Sequence, residues 1–166
     1  MKVCTSQYFL FEQGEKVAGY EMLLPNSGKL RVVGRYTTDC GGCDGIQPYS
    51  LIWPRVCEYA KLGHVLFEGA LISCSYGNIG RDSEVYGNRM VFAFLDTPLE
   101  VCLERVRKRR EAKGNFKPLD PKNTLSKFES IQRSIGKIRD EFRRRVVIVD
   151  YKKAEQQVME LLNGAS

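Results

Sequence analysis

Met90-Val91-Phe92-Ala93-Phe94-Leu95-Asp96-Thr97-Pro98 is the stretch on which the fold turns. Six apolar residues in an unbroken run, without alternation, predict a strand covered on both faces, as in a parallel sheet between layers of helices. Asp96-Thr97-Pro98 then opens a helix, with Thr97 suited to the cap and Pro98 to the first helical position. Leu99, Leu103 and Val106 supply a buried stripe, and Val101, Arg105 and Arg109 share another face.

Outward from this unit the same alternation of strand and helix recurs. Upstream, 30–34 is a short β-branched strand, and 35–45 is a loop rich in Thr, Asp, Gly and Cys. Leu51, Ile52, Val56, Tyr59 and Ala60 recur at helical spacing within 49–62, and Gly63 stops the run. Residues 65–67 form a buried strand ending in Glu68-Gly69, 70–74 continues apolar, and 76–89 is polar enough for a loop or a short helix. Downstream, 114–123 breaks the pattern, a basic helix covers about 124–142, 146–149 is a last buried strand closed by Asp150, and 154–162 is a final helix. The fold class expected is α/β, a parallel sheet with helices on both faces.

With 166 residues, 43% hydrophobic and 28% charged, the chain suits one domain spanning 1–166. Lys and Arg outnumber acids by 26 to 20, and a formal charge of +6 favours an anionic partner: nucleotide, nucleic acid or a phosphorylated substrate. The excess gathers in 105–127 and again in 133–145, although a solvated helix surface accounts for part of it. Cys40-Gly41-Gly42-Cys43 has the spacing of a zinc knuckle or redox pair, yet no second pair follows and His64 is the only histidine. Two ordinary thiols in a glycine loop is the reading preferred, with no metal site. Neither a secretory leader nor an apolar run of about 18 residues is visible, so a soluble cytoplasmic chain with reduced thiols is expected.

Chemistry in such sheets lies beyond the carboxyl ends of the strands. Arg35-Tyr36-Thr37-Thr38-Asp39, Glu68-Gly69 and Asp96-Thr97 each follow a strand, and topology predicts their convergence on one rim. There Glu68 could accept a hydroxyl proton or organise magnesium, with Arg105 and Arg109 facing a transferred phosphoryl group. A strand-terminal acid that merely caps a neighbouring helix explains Glu68 about as well. Asp96 and Asp150 read as helix caps, Trp53, Phe128 and Phe142 as core, and His64 as surface. Phe116, Phe128 and Phe142 also interleave with basic residues as in single-strand binders.

The strings Val33-Gly34-Arg35-Tyr36-Thr37-Thr38-Asp39-Cys40-Gly41-Gly42-Cys43-Asp44-Gly45 and Val65-Leu66-Phe67-Glu68-Gly69-Ala70-Leu71-Ile72-Ser73 are followed by two more. These are Phe94-Leu95-Asp96-Thr97-Pro98-Leu99-Glu100-Val101-Cys102-Leu103-Glu104-Arg105-Val106 and Asp120-Pro121-Lys122-Asn123-Thr124-Leu125-Ser126-Lys127-Phe128. Together, over roughly 30–162 and in this order, they resemble the bacteriophage P-loop kinases. Those are relatives of nucleoside monophosphate kinases, some of which act on 5-hydroxymethyluracil in DNA. The resemblance implies a P-loop kinase-like core, ATP with Mg as cofactor, and a nucleotide or DNA as substrate. It also implies roles: Glu68 as base or magnesium organiser, and Arg105 and Arg109 as transition-state cations. Arg35, Tyr36, Thr37 and Asp39 would line the substrate pocket, with Lys122, Asn123 and Lys127 on substrate phosphates. The basic region 105–127 corresponds to a lid.

One part of the family pattern has no counterpart. Such kinases open with a strand feeding GxxxxGK[ST], whose amides and lysine hold the phosphates. The nearest string, Asn26-Ser27-Gly28-Lys29-Leu30, lacks the first glycine and the hydroxyl residue and reads as a hairpin turn. The domain is therefore expected to be a truncated one with a divergent segment at 1–29 and a missing or rearranged first strand. Residues 3–11 could fill that slot, two chains could pair to cover it as a homodimer or complementing pair, the chain could be half of a longer product, or the sheet could be rearranged. Two functions follow. One is a kinase of nucleotides or of 5-hydroxymethyluracil in DNA. The other is a degenerate homologue that keeps the anion-binding rim as a nucleotide-binding, DNA-binding or inhibitory protein.

Overall fold

The computed structural model describes residues 7–11, 17–24, 28–36, 41–70 and 83–164. The chain forms two compact units, one of Met1–Ser73 with Val158–Ser166 and one of Cys74–Gln157. The described strands form two separate sheets, of four strands and of two.

In the first unit β1 (Gln7–Phe11), β2 (Val17–Leu24), β3 (Gly28–Val33) and β4 (His64–Phe67) lie in that order. β1 pairs with β2, and β2 with β3, in the antiparallel sense, while β3 and β4 are parallel. The expectation of a parallel sheet therefore fails here, and chain length is the reason. Leu24 pairs with Gly28, and a connection as short as 25–27 permits only a hairpin, because a parallel return needs a dozen residues or more. The strand beside β3 is thus β2, while β1 lies beyond it and does not pair with β3. Only from β3 to β4 is there room for a helix, α1 (Ile52–Ala60), entered through a 3-10 turn at Tyr49–Leu51. Pro54 falls in its first turn, where the missing N–H has no intrahelical partner to lose.

Tyr20, Met22, Leu24, Leu30 and Val32 form the core of this unit, with Leu66, Met159 and Leu162 packed against it. Alternate residues of β2 and β3 supply it, because successive side chains of a strand point to opposite faces. On the other face Arg31 is only 7% exposed and pairs with Glu21, its cross-strand partner, which also takes Lys29 Nζ at 2.8 Å. α1 buries Ile52, Val56 and Tyr59. Trp53 is half-buried with its ring edge-on to Phe67, and His64 is exposed.

The second unit holds a 3-10 segment (Ser83–Arg89), β5 (Val91–Leu95), α2 (Leu99–Ala112), α3 (Lys122–Asp140) and β6 (Arg145–Val149). α4 (Ala154–Leu162) follows, and from Val158 on its residues belong to the first unit, where Met159 and Leu162 pack. β5 and β6 are parallel, from Val91 opposite Arg145 to Leu95 opposite Val149. Phe92, Phe94, Ile138 and Val149 are buried, and buried Ser134 donates its hydroxyl to the carbonyl of Ser130. Ala93, Leu95 and Ile148 are exposed, so the unbroken apolar run does not correspond to cover on both faces. α2 also begins later than expected. Pro98 is its N-cap, with extended backbone and no side-chain capping bond, and buried Thr97 does not cap it. Leu99, Leu103 and Val106 are half-buried, as are Phe128 and Phe142. No described helix is long and apolar enough to cross a membrane.

Candidate functional site

The parallel pairing of β3 and β4 puts their carboxyl ends side by side, Val33 opposite Phe67, and the chain leaving β3 folds back over that end. Arg35 and Gly42 form an isolated antiparallel bridge, with Gly42 N–H donating to the Arg35 carbonyl at 2.7 Å. One residue on, Cys43 N–H donates to the carbonyl of Glu68 at 2.8 Å. The loop is therefore stitched to both strand ends. The Arg35 guanidinium donates through Nη2 to the Gly45 carbonyl at 2.8 Å, and Tyr36 N–H donates to the Tyr20 hydroxyl at 3.0 Å. Tyr20 and Tyr36 rings pack at 5.8 Å.

Gly42 has φ +69° and ψ −150°, a conformation almost confined to glycine. A Cβ there would also lie 2.8 Å from the Glu68 side-chain carboxyl carbon. Glu68 keeps exposed surface, yet its carboxylate end is tucked against that glycine and accepts a hydrogen bond from Tyr36. Burial pushes the Glu68 carboxyl above the usual range, the neighbouring Asp44 charge adds to this, and the Tyr36 hydrogen bond opposes it. Burial, then the Glu68 charge, pushes the Tyr36 phenol up, so it remains a donor at any ordinary pH. Asp44 accepts from Ala70 N–H at 3.0 Å, which fixes the chain just after Glu68-Gly69.

Cys43 is fully buried, its thiol pushed up to about 12 by burial, with Sγ 3.8 Å from the Val33 carbonyl it donates to. That environment holds a neutral thiol where a metal ligand would be a thiolate. Cys40, Thr37 and Asp39 lie outside the described residues.

The cationic candidates stand in the second unit. Arg105 and Arg109 are one helical turn apart on α2, both exposed. The Arg105 guanidinium lies over the Tyr151 ring at 5.5 Å, and Lys152 Nζ approaches the same ring at 5.6 Å. Tyr151 is held in turn: its N–H donates to Asp96 Oδ1 at 2.8 Å, and Asp96 N–H donates to the Val149 carbonyl at 3.0 Å. Asp96 thus ties the end of β5 to the loop after β6 instead of capping α2. Asp150 accepts from Lys152 N–H at 2.8 Å, and its own N–H donates to Gln157 Oε1. Lys122, Asn123 and Lys127 occupy the first two turns of α3, where Lys122 N–H donates to Asp120 Oδ1 at 3.0 Å. Arg35, Tyr36 and Glu68 are thus brought together in one unit. Arg105, Arg109, Lys122, Asn123 and Lys127 belong to the other.

Asp44 and Tyr151 were not singled out from the sequence. Asp44 stands in a loop whose fold-back no periodicity announces. Tyr151 follows a strand-closing aspartate, and that position beyond a parallel strand was the available signal.

Comparison with known proteins returns a consistent name. A protein of Pseudomonas phage PaMx11, "5-hmdU DNA kinase", is 41% identical over 102 residues, 60% of this chain and 53% of the relative. One of the same name from Delftia phage PhiW-14 is 30% identical over 124 residues, 66% of this chain and 48% of that protein. Both relatives bear the name of a phage DNA kinase. A third, from another Pseudomonas phage and again named 5-hmdU DNA kinase, is 41% identical over 76 residues, 46% of this chain and 36% of its own. The resemblance to phage kinases read from the motifs is therefore shown, and this chain spans about half the length of the phage kinases it matches. No protein-family model matches the chain, and no solved structure does.

Proposed function

We propose that this chain is a phage-type kinase that transfers a phosphoryl group from ATP to the hydroxymethyl oxygen of 5-hydroxymethyluracil in DNA. The similarity to three phage proteins of one name carries this reading. The geometry of the first unit supports a role for Glu68. A carboxylate held beyond a parallel strand, with its acidity weakened by burial, is a stronger base than a solvated glutamate, and Glu68 takes the proton of the attacking hydroxyl. The Tyr36 hydrogen bond orients that carboxylate. Arg35 and Tyr36 belong to the pocket that receives the nucleotide, a role the family resemblance also gives to Thr37 and Asp39.

Arg105 and Arg109 present guanidiniums to the phosphoryl oxygens as charge develops, the term that dominates phosphoryl-transfer catalysis. Tyr151 holds Arg105 in place from beneath. Lys122, Asn123 and Lys127 hold substrate phosphates.

The donor set suits a magnesium nucleotide as far as the acids go. Asp44 and Glu68 are two carboxylates close enough to feel each other's charge, and magnesium is commonly held by one or two carboxylates together with substrate phosphates. The ion would neutralise charge on the transferred group. Among the described residues no cluster of three potential metal ligands exists.

The deciding experiment incubates the full chain with magnesium and γ-labelled ATP, offering DNA that contains 5-hydroxymethyluracil, the same DNA with thymine, or the free nucleotide. Label should enter the hydroxymethylated DNA alone and fall by about 100-fold or more in Glu68→Gln. Absence of transfer to every acceptor by the unaltered chain overturns the reading.

A further inference from the structure

Phe116 is 78% exposed, the most exposed large apolar side chain among the described residues, and it stands in the connection between α2 and α3. A phenylalanine left in water loses the burial that usually places it, so its position invites a reason. The backbone around it is firmly set. Lys113 N–H and Asn115 N–H both donate to the Arg110 carbonyl, at 3.0 and 2.9 Å, and Gly114 supplies the left-handed residue, φ +74°, that closes α2. Asn115 Oδ1 accepts from Lys117 N–H and from the Arg110 guanidinium, each at 3.3 Å. Both neighbours of Phe116 are thus pinned, and the ring projects from an ordered turn.

The charge around the ring is one-sided. Arg110, Lys113 and Lys117 flank it. The two nearby acids are already engaged: Glu111 with Arg107 Nε at 3.7 Å, and Asp120 with the Lys122 amide. An exposed ring among cations fits a polyanion that also offers flat apolar faces, which describes unstacked nucleic acid. A lone ring on a basic turn is too small an apolar patch for a stable protein partner.

We propose that Phe116 stacks on a base of single-stranded or locally opened DNA, with Arg110, Lys113 and Lys117 on the adjoining phosphates. The proposal rests on the reading of DNA as the substrate and gives that substrate a defined contact. A target base that leaves its stack to reach an enzyme uncovers the face of its neighbour, and Phe116 covers it.

The test is binding of a fluorescently labelled single-stranded oligonucleotide to the full chain, without ATP, over a range of salt. Phe116→Ala should weaken binding by about 5- to 150-fold and leave the slope of log K against log salt unchanged. Phe116→Trp should retain affinity, with its indole emission quenched by the oligonucleotide. Lys117→Gln should instead reduce the slope by about one unit. Equal affinity of Phe116→Ala and the unaltered chain, or no affinity in the unaltered chain, overturns the proposal. Phe116-dependent binding without phosphoryl transfer to any acceptor would uphold it while removing the kinase reading. Transfer to DNA that ignores Phe116→Ala in both binding and KM would do the reverse.

Discussion

Gly42 and Glu68 occupy adjoining space so closely that no side chain can stand at position 42 without moving the glutamate. The glycine's positive φ reinforces this, since other residues adopt it only under strain. Gly42→Ala is expected to destabilise the fold by about 1–3 kcal/mol from the backbone alone, measured by urea unfolding. Activity should fall further than stability does, because the displaced group is the proposed base. A variant as stable and as active as the parent would contradict the arrangement.

Burial, by holding the Glu68 carboxyl above the usual carboxylate range, gives a pH signature. As a base it must be ionised, so kcat/KM should climb with pH on a limb lying above the ordinary range of a free glutamate. Tyr36→Phe removes the hydrogen bond that favours the carboxylate and should shift that limb to higher pH. Asp44→Asn removes a like charge and should shift it to lower pH. Stability runs the other way. A carboxyl raised in the folded state favours folding below its unfolded value, and that contribution disappears as pH rises through the folded one. Glu68→Gln should therefore gain stability relative to the parent as pH rises from 4 to 8.

Glu21 presents the opposite sign. The hydrogen bond from Lys29 and the charges of Arg31 and Lys29 hold its carboxyl below the usual carboxylate range. Its contribution is present above the unfolded value and lost as pH falls through the folded one. Glu21→Gln should steepen no acid transition but should lower stability at pH 7 by about 3 kcal/mol, because Arg31 is left buried without its counter-charge. Arg31→Met with Glu21→Leu should recover much of that loss, a comparison that denaturant titration resolves.

Tyr151 serves Arg105 as a platform more than it serves stability. An exposed cation–π contact is worth about 0.5–1 kcal/mol, so Tyr151→Leu should unfold near the parent midpoint. If the guanidinium acts on the transferred phosphoryl group, kcat should drop in Tyr151→Leu and recover in Tyr151→Phe, which keeps the ring. Equal kcat in all three chains would separate Arg105 from the chemistry.

Elements with their own periodicity were legible in the sequence. The final helix, the strands around Phe94 and Ile148, and the helix buried through Val56 and Tyr59 lie where the apolar spacing puts them. β2 was not foreseen, though Tyr20, Met22 and Leu24 alternate with Glu21. Gly19 and the mixed composition hid a strand whose partner sets its burial. The parallel expectation failed for the same region because strand direction depends on the connection, which hydropathy does not report. Of the candidate site, the places of Glu68 and Arg35-Tyr36 just beyond strand ends could be read from the sequence. Asp44 reaches Ala70 only through a loop fold-back, and Asp96 turned out to bind a backbone amide 55 residues away. Such long-range pairings leave no local trace.

A carboxylate delivered by the parallel member of a mostly antiparallel sheet arrives late in assembly. β1, β2 and β3 meet through the short connections 12–16 and 25–27, whereas β4 reaches β3 only across 34–63. Local hairpins close quickly, and loop entropy delays distant pairings. The hairpins offer the open edge of β3 as a template, and the loop carrying Gly42 can lock onto Glu68 only after β4 has docked. Weakening the template at Glu21 should therefore slow recovery of activity after refolding more than it slows recovery of sheet content.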